Sequence, residues 1–562
     1  MARGTQQEVI VYRNAVWERR VRSIVVALIV TVGLFSISYS SAHAQKLDAL
    51  SLERAKKLRE VERYQINIAE RYYTQKNWKV AAAEYEKYLT LYERSDAASY
   101  SQLKWSLCQV NLRQLNTAIK DGFQSVIDYW PDSPDAIAAA YYIGAQHKNM
   151  GEIKKAKLAY RKVMEKYPEH IVAAYTTRDL IDITTIEKDV DARVSLLRTL
   201  VFKTKRVGDA RNICTKASQD LAVYLFYQGT FDESAKALAT VYSEEQMPYH
   251  VLYFGNAPIS TLTNDEKQKT KGEKLSDQAV AFVRTKIPGN VSVEADKKRA
   301  LEYSYYIADL YSYSRRYDKV IAEYTAIEKK YGKDDATLGR FAGWYIGRGE
   351  YDNSRKTYAR FADKIESKRL IATSYRTERK FDLAVSGFQQ LVASDPKDIV
   401  RWLSEIASTH YTAGKYNDAI GVYQQLLKQD FENIPKWKLA IATAYRVSGQ
   451  WKEAIAQYRQ CEITTTNLRY MAQCHGALKE YPQAIGLYGQ IVGLSTAANA
   501  KAQAVSEIAQ THERAKNKEA AIRAYQQVCK LFPKTSYASR AHAHLQTQYK
   551  ISVTLGGGTE DK

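Results

Sequence analysis

One spacing rule for small and aromatic residues recurs along most of the 562-residue chain. A small residue is followed by an aromatic residue three and again nine positions later, by alanine after twelve, and by tyrosine after sixteen. Ala69, Tyr72, Trp78, Ala81 and Tyr85 form the first copy. Later copies, with some substitutions, begin at Gly144, Ala222, Ala308, Ala342, Ala372, Ala407, Ala442, Ala472 and Ala509. The fold must therefore use one packing unit many times.

Each copy of the rule predicts a pair of antiparallel helices. Small residues at the crossing let two helix backbones approach, and the aromatic rings fill the space beside the next pair. Glycine or asparagine near the end of the first helix suits a left-handed cap, and proline ends the second helix. Many of the 43 tyrosines are thereby explained as packing residues, and only 10 prolines and 26 glycines exclude a turn-dense all-β chain.

The period of the rule is also informative. The residues in the nine-later position, Tyr351, Phe381, Tyr416, Trp451 and Tyr481, are separated by 30, 35, 35 and 30 residues. This resembles the tetratricopeptide repeat, whose period is about 34 residues. The resemblance implies an all-α, right-handed superhelical solenoid of stacked helical hairpins, of the bacterial exported or periplasmic type. It implies little about function, because the matching residues are packing residues.

Residues 1–44 are predicted to be a signal peptide. Basic residues precede an apolar run from Ile24 to Phe35, and the segment closes on Ala42-His43-Ala44. A retained membrane anchor is the alternative, because the stretch from Ser23 to Ala44 is long enough to cross about 30 Å of hydrocarbon. In that case, residues 24–39 are expected to associate with the inner membrane. Both interpretations predict a periplasmic or other extracytoplasmic protein.

The rest of the chain divides according to how well it follows the rule. Residues 45–242 are predicted to form an N-terminal repeat block, and residues 300–550 a C-terminal block that ends in a capping helix. Between them, residues 243–299 lose the rule and contain Pro248, Pro258 and Pro288, which predicts an irregular junction or insertion. Residues 551–562 are predicted to be a disordered tail.

The five cysteines do not form a disulfide framework or a zinc-binding pattern. Cys461 and Cys474 flank a predicted turn at Thr464 to Thr466, and antiparallel helices leaving that turn could bring them level. They are therefore a candidate disulfide in an oxidising compartment. We favour the interpretation as two buried thiols, because free cysteine is among the most buried residue types.

The sequence predicts no enzyme, no cofactor and no metal site. It has no serine-hydrolase, metalloprotease, P-loop or dinucleotide motif. His147, His410, His475 and His512 each occupy the position three after a small residue, where other copies have tyrosine. We therefore interpret these histidines as packing residues.

The resemblance also implies a ligand surface on the first helix of each hairpin, at positions six and three before the small residue and one and four after it. In the C-terminal block these positions are mostly basic, with Glu366 as the acidic exception. The candidate groove residues are Arg369, Arg376, Arg401, Tyr411, Lys436, Arg446 and Arg469. Guanidinium groups suit carboxylates, so the predicted ligand is an acidic peptide segment or an anionic polysaccharide. The net charge of +21 alone would permit nucleic acid, but export argues against it.

The leading functional interpretation is an extracytoplasmic scaffold or adaptor for protein–protein interactions in a cell-envelope assembly, secretion or export complex. The alternative is a polysaccharide-binding or polysaccharide-export module with a basic aromatic groove. That alternative requires Tyr73, Tyr305 and Tyr411 to be exposed in the groove. An enzyme would need an unrecognised site in residues 243–298.

Overall fold

The computed structural model describes residues 47–206, 208–289 and 292–556, and in these ranges it contains helices and no strand. These residues belong to two compact units that divide between Gly332 and Lys333. The predicted signal peptide or anchor, residues 1–44 with its apolar part at 24–39, lies outside the described residues. The predicted all-α fold and its stacked helical hairpins are confirmed.

In the N-terminal unit, residues 47–332, each helix from α2 onward packs against the next. Its helices are α1 (Leu52–Lys57), α2 (Glu60–Thr74), α3 (Trp78–Leu91), α4 (Ala98–Asn111), α5 (Leu115–Thr117), a π-helical segment (Ala118–Phe123), α6 (Gln124–Tyr129), α7 (Pro134–Asn149), α8 (Ile153–Lys166), α9 (Ile171–Glu187), α10 (Val190–Phe202), α11 (Ala210–Gln228), α12 (Phe231–Ala239), α13 (Met247–Asn264), α14 (Lys269–Thr285), α15 (Glu294–Tyr313) and α16 (Tyr317–Tyr331).

The C-terminal unit, residues 333–556, is built in the same way. Its helices are α17 (Asp335–Gly347), α18 (Tyr351–Tyr358), α19 (Lys364–Thr377), α20 (Phe381–Ser394), α21 (Ile399–Thr412), α22 (Tyr416–Gln429), α23 (Ile434–Val447), α24 (Trp451–Tyr458), α25 (Thr465–Ala477), α26 (Tyr481–Leu494), α27 (Ala498–Arg514), α28 (Lys518–Leu531), α29 (Ser536–His544) and a π-helical segment (Leu545–Tyr549). Short 3₁₀ turns at Pro396–Asp398 and Phe431–Asn433 precede α21 and α23.

The spacing rule has a direct structural meaning. In all ten copies, the residue nine positions after the small residue is the first residue of the second helix. The small residue itself is buried, and a Cβ atom added to Gly144 would lie 2.5 Å from the ring of Tyr160, sixteen residues later. The rule therefore marks where the two helices of a hairpin touch.

The turn between the two helices is also the same in every copy. The residue seven positions after the small residue has a positive φ, between 57° and 79°. Five copies have glycine there, as the sequence predicts, for example Gly414 with φ 76°. The other five have lysine or arginine, for example Arg379 with φ 67°. The left-handed turn is thus kept where its usual residue is missing.

Residues 243–299 differ from the predicted irregular junction. Most of this segment forms two regular helices, α13 and α14, which pack against each other as a further hairpin. Pro258 lies inside α13, where the chain continues as a helix. The hairpin follows a different packing rule, because Gly272 of α14 lies directly against the backbone of Thr263. The two compact units meet in sequence at residues 332–333 instead.

The predicted disordered tail also differs at its start. Ile551 and Val553 pack against the last hydrophobic cluster of the C-terminal unit, which includes Val528 and Leu545. The amide of Gly556 donates to the carbonyl of Cys529 at 3.3 Å. Residues 551–556 therefore belong to the packed end of this unit, and residues 557–562 lie outside the described residues.

Candidate functional site

An open cleft of about 390 Å³ lies in the C-terminal unit, beside the first turns of α21 and α23. Two predicted groove residues, Arg401 and Lys436, line it. The full lining is Lys397, Asp398, Val400, Arg401, Ser404, Glu405, Asp430, Asn433, Lys436 and Trp437. The cleft therefore contains exposed cations together with carboxylates that already form contacts within the unit.

The two helix starts beside the cleft share one sequence motif, 35 residues apart. Each has aspartate, then asparagine or aspartate three later, isoleucine, a basic residue and tryptophan. The buried indole N–H donates back to the first aspartate, from Trp402 to Asp395 at 3.2 Å and from Trp437 to Asp430 at 2.9 Å. Although burial opposes it, the hydrogen bond from Asn433 lowers the pKa of Asp430. These bonds fix both tryptophans at the helix starts.

The basic side chain of the residue before each tryptophan lies over the tryptophan ring. The guanidinium carbon of Arg401 lies 4.7 Å from the ring centre of Trp402, and Nζ of Lys436 lies 4.3 Å from that of Trp437. The side chain of Arg401 is 49% exposed and lies 3.7 Å from the half-exposed carboxylate of Asp398, a pair of the kind that contributes at most about 1 kcal/mol. Both cations are therefore accessible to an anionic ligand.

Three other predicted groove residues are paired within the unit. Their guanidinium groups lie within hydrogen-bond distance of glutamates, so their charge is locally compensated. The pairs are Arg376 with Glu405 at 2.6 Å, Arg469 with Glu507 at 2.9 Å, and Arg369 with Glu366 at 2.6 Å.

Sequence reasoning missed Glu405 and Glu507. Each lies two positions before the small residue of its helix, Ala407 or Ala509, a position that was not among the groove slots. Each carboxylate reaches an arginine in an earlier hairpin, 29 or 38 residues away. The acidic residues two positions before the small residues were the sequence signal that could have revealed these ion pairs. Their negative charges reduce the net positive charge of the predicted surface.

Arg446 differs from these paired arginines. Its Nε donates to the hydroxyl of Tyr458 at 3.3 Å, and its guanidinium carbon lies 4.3 Å from the ring centre of Tyr470. Within the described part of the chain it forms no ion pair with a carboxylate. Tyr411 is half-buried near this group, and burial raises its pKa. Arg446 is thus oriented by aromatic side chains and keeps its charge uncompensated.

The other two groove tyrosines do not match the expected exposure. Tyr73 is half-buried, and Nζ of Lys104 lies 3.4 Å from its ring centre. Tyr305 is also half-buried, with its ring centre 6.4 Å from that of Tyr324. An exposed tyrosine pair lies elsewhere: Tyr249 and Tyr253 of α13, 48% and 56% exposed, have rings stacked at 5.9 Å. Sequence reasoning missed this pair because α13 does not follow the spacing rule.

The candidate disulfide is absent, because Cys461 and Cys474 are both free thiols. The prediction that they lie level is wrong. Cys461 precedes the first turn of α25, whereas Cys474 lies nine residues after the first residue of that helix, about 14 Å along its axis. Cys474 is buried, and burial raises the pKa of its thiol to about 11.

Two of the four histidines in the aromatic position, His147 and His475, take part in local hydrogen bonds. His147 lies 2.6 Å from Glu152, and His475 lies 2.6 Å from Glu480, so two copies repeat the same contact five residues apart.

In residues 47–206, 208–289 and 292–556, no three histidine, cysteine or acidic side chains are grouped to hold a metal ion. Among the described helices, none combines the length and apolar character that crossing a bilayer requires.

Comparison with known proteins identifies the repeats in both units. Two family models described as tetratricopeptide repeat match the chain, one at residues 369–430 and 404–462 and the other at residues 138–170 and 503–535. No curated protein matches the sequence.

Several solved structures match the chain with low similarity scores. The structure of Naa15/Naa10 bound to HypK-THB has 13% identity, covers 86% of this chain and 78% of that chain, and has a TM-score of 0.40. Yeast Tom70 has 13% identity, coverages of 87% and 97%, and a TM-score of 0.25. The C-terminal part of a TPR repeat-containing protein from Cytophaga hutchinsonii has 16% identity, coverages of 43% and 98%, and a TM-score of 0.31. These scores are too low to bear on partners or activity.

The repeat matches fall on hairpins whose small residues, left-handed turns and second-helix starts follow one rule in both units. The chain therefore contains tetratricopeptide repeats at residues 138–170, 369–462 and 503–535.

Proposed function

We propose that this protein is an exported scaffold that binds an acidic segment of a protein partner on the C-terminal unit. Tetratricopeptide repeats support a role in protein–protein interaction, and such a fold typically serves as a non-catalytic scaffold. The observation that carries the finer proposal is Arg446. It is the one arginine of the predicted groove set with no carboxylate contact within the described residues.

The surroundings of Arg446 favour a carboxylate ligand. Tyr458 and Tyr470 hold the guanidinium group in place, so little side-chain freedom remains to be lost on binding. A guanidinium group can donate two parallel hydrogen bonds to one carboxylate. The cleft cations Arg401 and Lys436 belong to the two first helices, α21 and α23, that also carry Tyr411 and Arg446. A segment with several carboxylates could therefore meet more than one cation.

The binding site can be tested with a fluorescein-labelled octa-glutamate peptide and the mature protein in anisotropy titrations at about 50 and 300 mM NaCl. Because a hydrogen bond to a charged group contributes about 1.5–3 kcal/mol, Arg446→Gln should weaken binding about tenfold or more. The matched control is Arg459→Gln, which removes the same charge from an exposed position at the end of α24. Equal affinities for the two variants would refute the site.

Export is proposed from the sequence of residues 1–44, in which basic, apolar and small-residue regions follow each other in the order of a signal peptide. Expression of the full chain in a Gram-negative host, followed by fractionation and intact-mass measurement, tests it. A mature protein that begins at Gln45 in the periplasmic fraction is expected. A full-length chain in the cytoplasmic fraction would contradict export, and a full-length chain in the membrane fraction would favour the anchor.

A polysaccharide ligand is the second candidate, and the exposed tyrosine pair of α13 favours it. The rings of Tyr249 and Tyr253 stack on each other, and the ring of Tyr306 on α15 lies 6.3 Å from that of Tyr249. This gives the N-terminal unit an accessible aromatic surface, which suits stacking against flat ligand faces. Retardation in gels containing alginate or cellulose derivatives, lost in Tyr249→Ala/Tyr253→Ala protein, would support this candidate.

A further inference from the structure

The first described residues of the chain lie along the N-terminal unit as an extended arm. We define the arm as residues 47–58, which comprise an irregular stretch and the short helix α1. Leu47 packs against the large hydrophobic core of the unit, and Leu50 and Leu58 belong to a smaller cluster with Ile66 and Tyr100. The arm is therefore seated on α2 and α4 by apolar contacts.

The arm also places a carboxylate beside a buried lysine. Asp48 is 8% exposed and Lys104 of α4 is 3% exposed. Oδ2 of Asp48 lies 3.4 Å from Nζ of Lys104. The same ammonium group lies 3.4 Å from the ring centre of Tyr73 and 3.6 Å from Oε1 of Glu70, both on α2. A buried ammonium group requires such partners, because an uncompensated buried charge is strongly unfavourable.

The other carboxylate near Lys104 is already engaged by the fold. Glu70 accepts hydrogen bonds from the hydroxyl groups of Tyr85 and Tyr100, the latter at 2.7 Å. Asp48 is different, because its Oδ1 is buried and has no hydrogen-bond partner among the described residues. Asp48 thus occupies a site for a carboxylate without satisfying all of its own hydrogen-bonding capacity.

A second contact fixes the distal part of the arm. Nη2 of Arg54 lies 2.7 Å from Oδ2 of the buried Asp135 on α7, and it also donates to the carbonyl of Asp96 at 2.7 Å. Ser99 donates to the same oxygen of Asp135 at 2.7 Å. The arm is therefore held at one end by its carboxylate and at the other by its guanidinium group.

We infer that Lys104, Tyr73 and the surrounding walls of α2 and α4 form a carboxylate-binding site, and that Asp48 of the chain's own arm occupies it as an internal ligand. The chemistry of the ligand is a carboxylate on an extended segment with neighbouring apolar residues, as in the arm itself. While the arm is seated, the site is closed to acidic segments of other proteins. Release of the arm exposes it. This inference is independent of Arg446 and of the ligand proposed for the C-terminal unit.

Hydrogen exchange measured by mass spectrometry on the mature chain tests this. In the wild type, the amides of residues 54–58, which have hydrogen-bond acceptors in α1, should be protected, and Asp48→Asn should accelerate their exchange about tenfold while α4 keeps its protection. The control Asp132→Asn removes a carboxylate from an exposed position and should change nothing. If the wild-type arm is unprotected, or if Asp48→Asn accelerates α4 as much as the arm, the site is not a releasable one and the inference is overturned.

Competition gives a second measurement. A synthetic peptide with the sequence of residues 47–58, added in excess to the wild-type protein, should accelerate exchange of the arm by occupying its site. The same peptide with asparagine in place of Asp48 should have a much smaller effect. Equal effects of the two peptides, or no effect of either, would show that the carboxylate is not what the site binds.

Discussion

The close contact at Gly272 predicts that replacing this residue by alanine destabilises the hairpin of α13 and α14. A Cβ atom at this position would lie 2.6 Å from the backbone nitrogen and Oγ1 of Thr263, and 3.0 Å from the carbonyl carbon of Leu262. Two of these three atoms belong to the backbone, so a change of side-chain rotamer cannot relieve the overlap. The two helices must move apart for the methyl group to fit.

The magnitude combines two opposing effects. Overpacking that shifts the backbone costs about 1–3 kcal/mol. Alanine is more favourable than glycine inside a helix by about 0.5–1 kcal/mol, which offsets part of this cost. The net expectation for Gly272→Ala is a loss of about 1–2 kcal/mol, or roughly 5- to 30-fold faster opening of the hairpin.

The matched control is Gly489→Ala in α26, where no heavy atom lies within 4 Å of the added Cβ atom. There the helix preference acts alone, so about 0.5–1 kcal/mol of stabilisation is expected. Hydrogen exchange of peptides from α13, α14 and α26 measures both effects locally, without assuming that the whole chain unfolds in one step. Unchanged or slower exchange of α13 and α14 in Gly272→Ala protein would refute the argument.

Three further predictions concern the C-terminal unit. Glu507→Gln removes the carboxylate that pairs with Arg469, so the guanidinium group becomes available to a ligand. Binding of the octa-glutamate peptide should tighten about threefold to tenfold in anisotropy titrations. Unchanged affinity would place Arg469 outside the binding surface. Burial alone would raise the pKa of Glu513, but hydrogen bonds from tyrosine and histidine side chains lower it. The ionised carboxylate should therefore stabilise the packing of residues 536–549 above about pH 4.3. This stabilisation should be lost as the pH falls through the lowered pKa. Exchange of residues 536–549, corrected for the intrinsic effect of pH, measures this loss, which Glu513→Gln should abolish. Thiol titration of the exported protein should find Cys461 and Cys474 reduced, with Cys474 reacting only after denaturation; a mass decrease of about 2 Da would reveal a bridge instead.

The repeats were predictable from the sequence because their contacts are local and regular. Tyr351, Phe381 and Tyr416 each begin a second helix, as their spacing from the small residues indicates. A tight crossing of two helices allows few residue types at the contact, so the sequence carries a visible signal at fixed intervals. The all-α fold could therefore be inferred without a structure.

The hairpin of α13 and α14 could not be inferred in the same way. It uses Gly272 against Thr263 at the contact, so the alanine and tyrosine positions of the rule are missing. Prolines suggested a break, yet Pro258 is accommodated within α13. The absence of one packing pattern was thus a poor indicator of irregular structure.

The candidate site was predictable only in part. The slots predicted that Arg401, Lys436 and Arg446 belong to one surface, and Arg401 and Lys436 do line one cleft. The slots did not reveal which arginines are compensated by a carboxylate. Glu405 and Glu507 reach their partners from a later hairpin, and a side-chain direction across 29 or 38 residues is not encoded by spacing along one helix. Charge counted along a sequence therefore overestimated the charge that the surface offers to a ligand.

The left-handed turns between paired helices have a consequence for how this chain can vary. A residue other than glycine costs about 1–2 kcal/mol in this conformation, while glycine costs about 0.5–1 kcal/mol in unfolded-chain entropy. A lysine or arginine at the end of a helix recovers about 0.3–1 kcal/mol from the helix dipole. Gly414 and Arg379 are thus nearly equivalent energetically in equivalent turns. Substitution between glycine and a basic residue at these turns can change the isoelectric point of the protein in single-charge steps while leaving its folding almost unaffected.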